Sequence, residues 1–293
     1  MAGSNMTEIQ PTGPTVLRMI LGRQLRALRE RAGLDFDQAA EAILVSPATV
    51  RRLEGSDGGL KPMAVKAALH AYGITDPGEI GAFIDLARKA STPGWWHSYS
   101  DVLPGWFSTA VGLEEAAALI RSFDPHWIPG LLQTPGYARA AARTGFPDAT
   151  EEEIERRAGL LAARQRILGR PSPPALWAVI DEAALRRPAA TIGPGAMREQ
   201  LGKLIDAAAQ PRVTLQILPF SAGLHPALGA FRLFRFDAPE QPDIVCCESL
   251  TSAAYFDKPD EAARYVQVLD RVSAQAAPPA DTPALLTEIR KEI

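Results

Sequence analysis

The sequence predicts two unlike domains in tandem, an all-α head of five short helices followed by a larger α+β domain, and three observations predict it. Residues 15–90 carry apolar side chains at helical spacing in five successive stretches, each opened or closed by Ser, Asp, Pro or Gly. Beyond residue 108, helical stretches alternate with short apolar runs of strand length, such as LWAVI and VTLQIL. Charge divides the chain too: residues 17–75 hold nine Lys or Arg against six Asp or Glu, a net +3, while all 293 residues carry −3. A mildly basic head on an acidic body is the asymmetry of a small anion-binding module attached to a separate globular core.

The head's elements follow from local patterns. Leu21, Leu25 and Leu28 fall at i, i+4 and i+7 on a first helix, which Gly33-Leu34 closes. Asp35 opens a second helix, with Gln38 three positions on as a capping box. Ala39, Ala40 and Ile43 give that helix its inner face, and Leu44-Val45 breaks it. Ser46 caps a third helix whose first position is Pro47, where a missing N–H costs nothing. Residues 61–72 and 77–89 add two more helices, through Val65, Leu69 and Tyr72 and through Ile80, Ile84 and Leu86.

The third helix carries the chemistry. At about 100° per residue, Ser46, Val50, Leu53 and Glu54 share its inner side. Ala48 and Arg52 then point outward, flanked by Thr49 and Arg51. Small residues at the start and guanidinium forks further on suit a DNA major groove, where arginine clamps guanine O6 and N7 or holds a phosphate. The alternative is an exposed basic helix on an ordinary helical domain.

The stretch LGRQLRALRERAGLDFDQAAEAILVSPATVRRLEGS resembles the five-helix, lambda-repressor-like helix-turn-helix domain of regulators of the xenobiotic-response-element family. That resemblance implies a DNA-binding transcriptional regulator whose third helix enters the groove. It puts the base-facing positions on Pro47, Ala48 and Arg52, with Ser46 and Thr49 near backbone or bases, and a buried ion pair on Arg29 and Glu54. Two positions depart from the family pattern. Leu44 stands where the tight turn usually has glycine, and is strained if its φ is positive. Pro47 and Ala48 replace longer polar readers, leaving discrimination to Arg51, Arg52, thymine methyl contacts and DNA shape. One head makes few phosphate contacts, so a homodimer on double-stranded DNA is expected.

Domain limits are expected at 1–14 (a polar, disordered N-terminus), 15–90 (the head), 91–107 (an aromatic linker) and 108–293 (the effector domain). The linker, STPGWWHSYSDVLPGWF, holds Trp95, Trp96, Tyr99, Trp106 and Phe107, which is unlike a flexible Gly/Ser tether. It reads either as a staple docked on the second domain or as part of a ligand or dimer surface. In the effector domain, helices are expected at 113–122, 135–143, 150–168, 195–209, 261–274 and 284–289. Strands are expected at 176–180, 213–218, 231–236 and 244–248, the last two as a hairpin. Residues 231–236 alternate apolar and polar and predict one wet face.

The strings GWWHSYSDVLPGWF, FDPHWIPGLLQTPGYARA, LWAVIDEAALRRP and VTLQILPFSAGLHPALGAFRLFRF resemble the C-terminal effector domain of actinomycete regulators of the WhiJ type. Proteins of this kind are implied to be cytoplasmic regulators, antitoxin-like in being encoded beside a small partner protein. The resemblance supplies no ligand and no catalytic residues.

Residues weighed as ligand- or partner-binding are Trp95, Trp96, Trp106, Trp127, Gln133, Tyr137 and His225. Each has a structural alternative, Gln133 and Tyr137 as loop and cap of a helix opened by Thr134. Arg156, Arg157 and Arg164 read as a solvated salt-bridge face or an anion site. Asp181 and Glu182 read as complements to a helix N-terminus. The adjacent Cys246 and Cys247 suggest a reducing compartment, as inert strand residues or in redox or metal work. The four histidines show no metal-ligand spacing, and no nucleophile-elbow or phosphate-loop motif occurs, so no enzyme, cofactor or metal is expected. No apolar run reaches the roughly 18 residues of a membrane span.

Overall fold

The computed structural model of the chain describes residues 14–55, 61–237 and 241–293. The expected disordered N-terminus lies outside the described residues except for Pro14, which is already the first residue of α1 (Pro14–Arg31). The stretch GSDGG, 55–59, whose glycines read in the sequence as a turn after the third helix, lies outside them beyond Gly55. The chain divides into two compact units between His97 and Ser98. The aromatic stretch 91–107 therefore falls in both: a short 3-10 helix, Trp95–Tyr99, spans the division, and Gly105 already begins α6.

The first unit is all-helical: α1 is followed by α2 (Phe36–Ala42), α3 (Pro47–Glu54), α4 (Pro62–Ala71) and α5 (Pro77–Ala90). Its core is built largely from the predicted stripes, with Leu21, Leu25, Val50, Val65 and Leu69 wholly buried; on α5 Ile80 is buried as expected, but Ala87 takes the place of Ile84 and Leu86, which are half-buried. The capping box of α2 is complete, since the Asp35 carboxylate accepts from the Asp37 and Gln38 backbone amides and the Gln38 side-chain Oε1 accepts from the Asp35 amide. Ser46 caps α3 and Asp76 caps α5, each followed by proline.

Three helices of this unit end in the same way. The amides of Leu34, Val45 and Ile74 reach back to the carbonyls of Arg29, Ala40 and Leu69, closing left-handed turns whose apolar last residue packs on the core. The left-handed residue is Gly33 (φ 70°) after α1, Gly73 (φ 88°) after α4, and Leu44 (φ 57°) after α2. The strain expected at Leu44 is thus present. Its side chain is 92% exposed and gains nothing by burial. Leu44→Gly is expected to stabilise this unit by about 0.5–1 kcal/mol, the left-handed penalty less glycine's greater unfolded-chain entropy. An unchanged or lowered melting temperature would contradict that account.

The second unit is α+β, a mixed six-stranded sheet with helices. In chain order it runs α6 (Gly105–Ala116), β1 (Leu119–Asp124), α7 (Pro135–Gly145), α8 (Glu151–Gln165), β2 (Ala175–Asp181), α9 (Glu182–Arg186), α10 (Ala189–Ile192), α11 (Pro194–Ala208), β3 (Val213–Leu218), β4 (Phe231–Arg235), β5 (Ile244–Glu248), β6 (Ala253–Phe256), α12 (Pro259–Gln275) and α13 (Thr282–Glu292). Spatial order is β3-β2-β1-β4-β5-β6. The first three strands are mutually parallel, in register from Ile120 to Leu176 and from Ala178 to Leu215, and β4 to β6 run antiparallel. One face packs Phe123, Val179, Leu233 and Val245 against Leu269 and Val272 of α12. The outer edge of β3 is covered by the chain before α13: Ala277 donates to the Ile217 carbonyl and the Thr282 hydroxyl to that of Leu215.

Two expectations fail here, and one strand was not expected at all. The helix expected at 113–122 ends at Ala116, and Leu119–Asp124 is instead a central strand. Ile120 to Phe123 are all buried, and a short run buried on both faces carries no period that separates strand from helix. Strand β6, four residues at a sheet edge, gave no periodic signal at all. The expected wet face of β4 is not wet: Arg232 is paired with Glu114 and Glu248 and shares its face with buried Phe234, while the exposed Arg235 alternates onto the opposite face.

Candidate nucleic-acid interface

Helix α3 is held to the rest of its unit from three directions. Val50 and Leu53 anchor its inner face in the core. Gly22 of α1 lies so close that a Cβ there would stand 2.7 Å from the Glu54 carbonyl oxygen, so glycine is what lets the two backbones meet. Glu54 then receives two bonds from Arg29, Nε to Oε1 at 2.7 Å and Nη2 to Oε2 at 3.0 Å, while Nη1 donates to the Leu34 carbonyl at 2.7 Å. Both side chains are at least 94% buried. Burial, and after it the Glu54 carboxylate, push the Tyr72 phenol up to about 12.

The opposite side of α3 is open to solvent. Ala48, Arg51 and Arg52 are exposed, Pro47 and Thr49 half-buried, and Ser46 exposed at the cap. The Ser46 hydroxyl lies 3.0 Å from that of Thr49, which accepts from Arg52 Nη2 at 3.2 Å. This chain of bonds lays the Arg52 guanidinium back toward the start of the helix. Arg51 instead lies over the Phe36 ring, 4.8 Å from its centroid. The six residues expected to meet DNA therefore occupy one exposed end and flank of one helix.

In the second unit the residues expected to bind a ligand are dispersed. Gln133 and Tyr137 are buried and close the loop before α7: Gln133 donates to the Ile128 carbonyl, and the Ile128 amide donates to the Tyr137 hydroxyl. Thr134 caps α7 and Asp181 caps α9. Trp106 is half-buried on α6, Trp127 is 46% exposed after β1, and Trp95 and Trp96 belong to the end of the first unit, with Trp96 buried. The His225 ring stands edge-on to Phe123 at 5.0 Å, and no carboxylate among the described residues bonds it. Cys246 and Cys247 are free, and burial raises both thiols, so they stay protonated near neutral pH.

The solvated face expected of the α8 arginines is formed only in part, by Arg156, whose pair with Asp101 is exposed. Arg164 is buried on Glu114. Arg156 takes both Asp101 oxygens and the Ser98 carbonyl, and Arg157 takes the Val102 carbonyl, so the two arginines fasten the first residues of the unit to α8. The signal was present, because i, i+1 arginines beside glutamates fit either role, but their partners are 55 or more residues away in sequence. Sequence reasoning also missed Glu114 and Asp124. Burial lifts Asp124 to about 6, against a hydrogen bond from Ser122.

Among the described residues, no helix is long and apolar enough to cross a membrane, and no cluster of three His, Cys, Asp or Glu is placed to hold a metal ion. A family model described as a helix-turn-helix domain matches residues 20–82, which contain α2 to α4 and most of α1. A second, described as a domain of unknown function (DUF5753), matches residues 107–288. No curated protein and no solved structure matches the chain. With a match over more than half of its length, the chain belongs to the DUF5753 family and joins that domain to an N-terminal helix-turn-helix domain.

Proposed function

We propose that the protein is a cytoplasmic transcriptional regulator of the xenobiotic-response-element type that seats α3 in the major groove of double-stranded DNA. The observation that carries this reading is the exposed side of α3. Arg51 and Arg52 have no carboxylate partner among the described residues, while the helix's one acid, Glu54, is turned inward and neutralised by Arg29. Ser46, Pro47, Ala48 and Thr49 supply the close-approach end, and Arg52, preset by Thr49, reaches base edges. A single head of this charge binds weakly, so the working species is a homodimer with its recognition helices roughly 34 Å apart.

The second unit acts as the effector domain, and a partner protein is the better reading of what it senses. Trp127, Phe220, Leu224 and Leu228 are large apolar side chains left 46–105% exposed in the loops after β1 and β3. Apolar side chains exposed together, rather than singly, mark a surface for another macromolecule, and Phe220, Leu224 and Leu228 all fall in the one loop between β3 and β4. Two open hollows among the described residues, one beside Ala140 and Thr191 and one beside Pro259 and Arg264, are unlike the enclosed apolar pocket a small effector needs. An antitoxin-like module working mainly through a small partner protein is the second reading that these exposed residues favour.

Genomic footprinting with the purified protein, followed by gel retardation at low salt, tests the proposal, and no retained DNA in either would end it. On a site so found, Arg52→Ala is expected to cost about 1–3 kcal/mol and to flatten preference at one base position. Equal loss on all sequences would assign Arg52 to phosphate instead. Sedimentation as a monomer both free and on DNA would remove the dimer.

A further inference from the structure

An aromatic contact at the surface of the head sits where α2 meets α3. Phe36, the first residue of α2, is half-buried and carries two guanidinium groups over its ring, Arg29 at 4.2 Å and Arg51 at 4.8 Å from the centroid. The two arginines differ in what they have left to give. Arg29 is buried, and its donors are spent on Glu54 and the Leu34 carbonyl. Arg51 is exposed and bonds no acid or carbonyl among the described residues.

Helical geometry says which part of the DNA Arg51 faces. With Ala48 and Arg52 at the centre of the outward side, Arg51 lies about 80° round the helix from that centre, on the flank toward α2. When a helix lies in a major groove, its outward side meets base edges and its flanks meet the groove walls, which are phosphate. An aromatic ring is a suitable anchor for a residue with that task. It fixes the guanidinium plane by its quadrupole while leaving the charge and the edge N–H donors free, whereas a carboxylate anchor would neutralise them.

We infer that Phe36 is a positioning residue for DNA binding, holding Arg51 as a sequence-independent phosphate clamp on the groove wall, and that base reading falls to Arg52. This rests on the DNA-binding reading above and adds a division of labour within α3. Phe36 links the clamp to the Arg29–Glu54 pair, so the inner fastening of α3 and its outer phosphate contact share one side chain.

The test uses the full chain and a random-sequence DNA duplex, with the association constant followed against salt. Arg51→Ala is expected to reduce the slope of log K against log salt by about 0.9, the loss of one phosphate contact. Phe36→Leu keeps apolar bulk but removes the ring, and should reproduce most of that reduction. Phe36→Tyr should restore the wild-type slope, and Phe36→Leu combined with Arg51→Ala should be no worse than Arg51→Ala alone. A partly unfolded variant lowers affinity by a constant factor without altering the slope, so misfolding cannot imitate this result. A wild-type slope in Phe36→Leu beside a reduced one in Arg51→Ala overturns the role of Phe36. An unchanged slope in Arg51→Ala overturns the clamp. Failure of the wild-type chain to retard DNA at low salt would instead overturn the parent reading, and this one with it.

Discussion

Replacing Glu114 by alanine is expected to cost the second unit about 3–5 kcal/mol, a large share of the roughly 5–15 kcal/mol that keeps a domain folded. Glu114 lies on the enclosed side of α6, with its side chain 3% exposed. It accepts from Arg164 Nε at 2.8 Å and Nη2 at 2.7 Å, and from Arg232 Nη1 at 2.6 Å. Burial opposes its ionisation, but the two guanidinium groups outweigh burial and hold it below the usual carboxylate range. Removing the carboxylate leaves two cations facing each other over Phe107, with Glu248 paired to Arg232 and Asp124 close enough to act on it. Glu114→Gln keeps the shape and loses the charge, so it should fall between alanine and wild type.

The control lies on the same helix as Arg164. Arg139 and Glu155 form a two-pronged pair between α7 and α8, but the side chains are 39% and 54% exposed, and such pairs contribute about 0.2–1 kcal/mol. Urea unfolding followed by tryptophan fluorescence reads the second unit through Trp106, Trp127 and Trp177. If Glu114→Ala costs no more than Glu155→Ala, the three-way contact of α6, α8 and β4 is not what holds that side of the sheet together.

The head was legible almost residue by residue because its determinants are local. Caps act over three positions and stripes over four, while the tight turn at Leu44 was marked by the resemblance, whose pattern has glycine there. The Arg29–Glu54 pair is a longer-range contact, and it came from the resemblance rather than from spacing. The second unit was legible where strands are long and apolar, as in LWAVI and VTLQIL, and illegible where tertiary contacts decide. Strand β1 carries Arg121 and Ser122 at buried positions, which sequence reads as surface. Arg121 is tolerated there because it lies over Trp177 and bonds Asp270 of α12, 149 residues on. Arg232 misled in the same way, since its alternation with Leu233 signals a wet face and its actual partner, Glu114, is 118 residues away.

The Arg29–Glu54 pair should behave as a unit. Each single alanine variant is expected to destabilise the head by about 3–5 kcal/mol, because each leaves a buried charge unpaired, whereas the double variant should lose far less than the sum. Thermal unfolding of the four proteins in the cycle gives the coupling, and additive losses would refute the pairing. DNA binding adds a readout that stability alone does not. Arg29 ties three things to Glu54: helix α1, the turn at Leu34, and through Phe36 the flank of α3. A double replacement by apolar residues of similar size, Arg29→Met with Glu54→Leu, can recover stability, since buried pairs are often dispensable to it. It cannot restore the two-pronged bond that sets the rotation of α3 about its own axis. The folded apolar variant is therefore expected to bind DNA at least tenfold more weakly than wild type, the scale of about 1.4 kcal/mol in misplaced contacts. Wild-type affinity in that variant would mean that Val50, Leu53 and the close approach of Gly22 orient α3 without help from the ion pair.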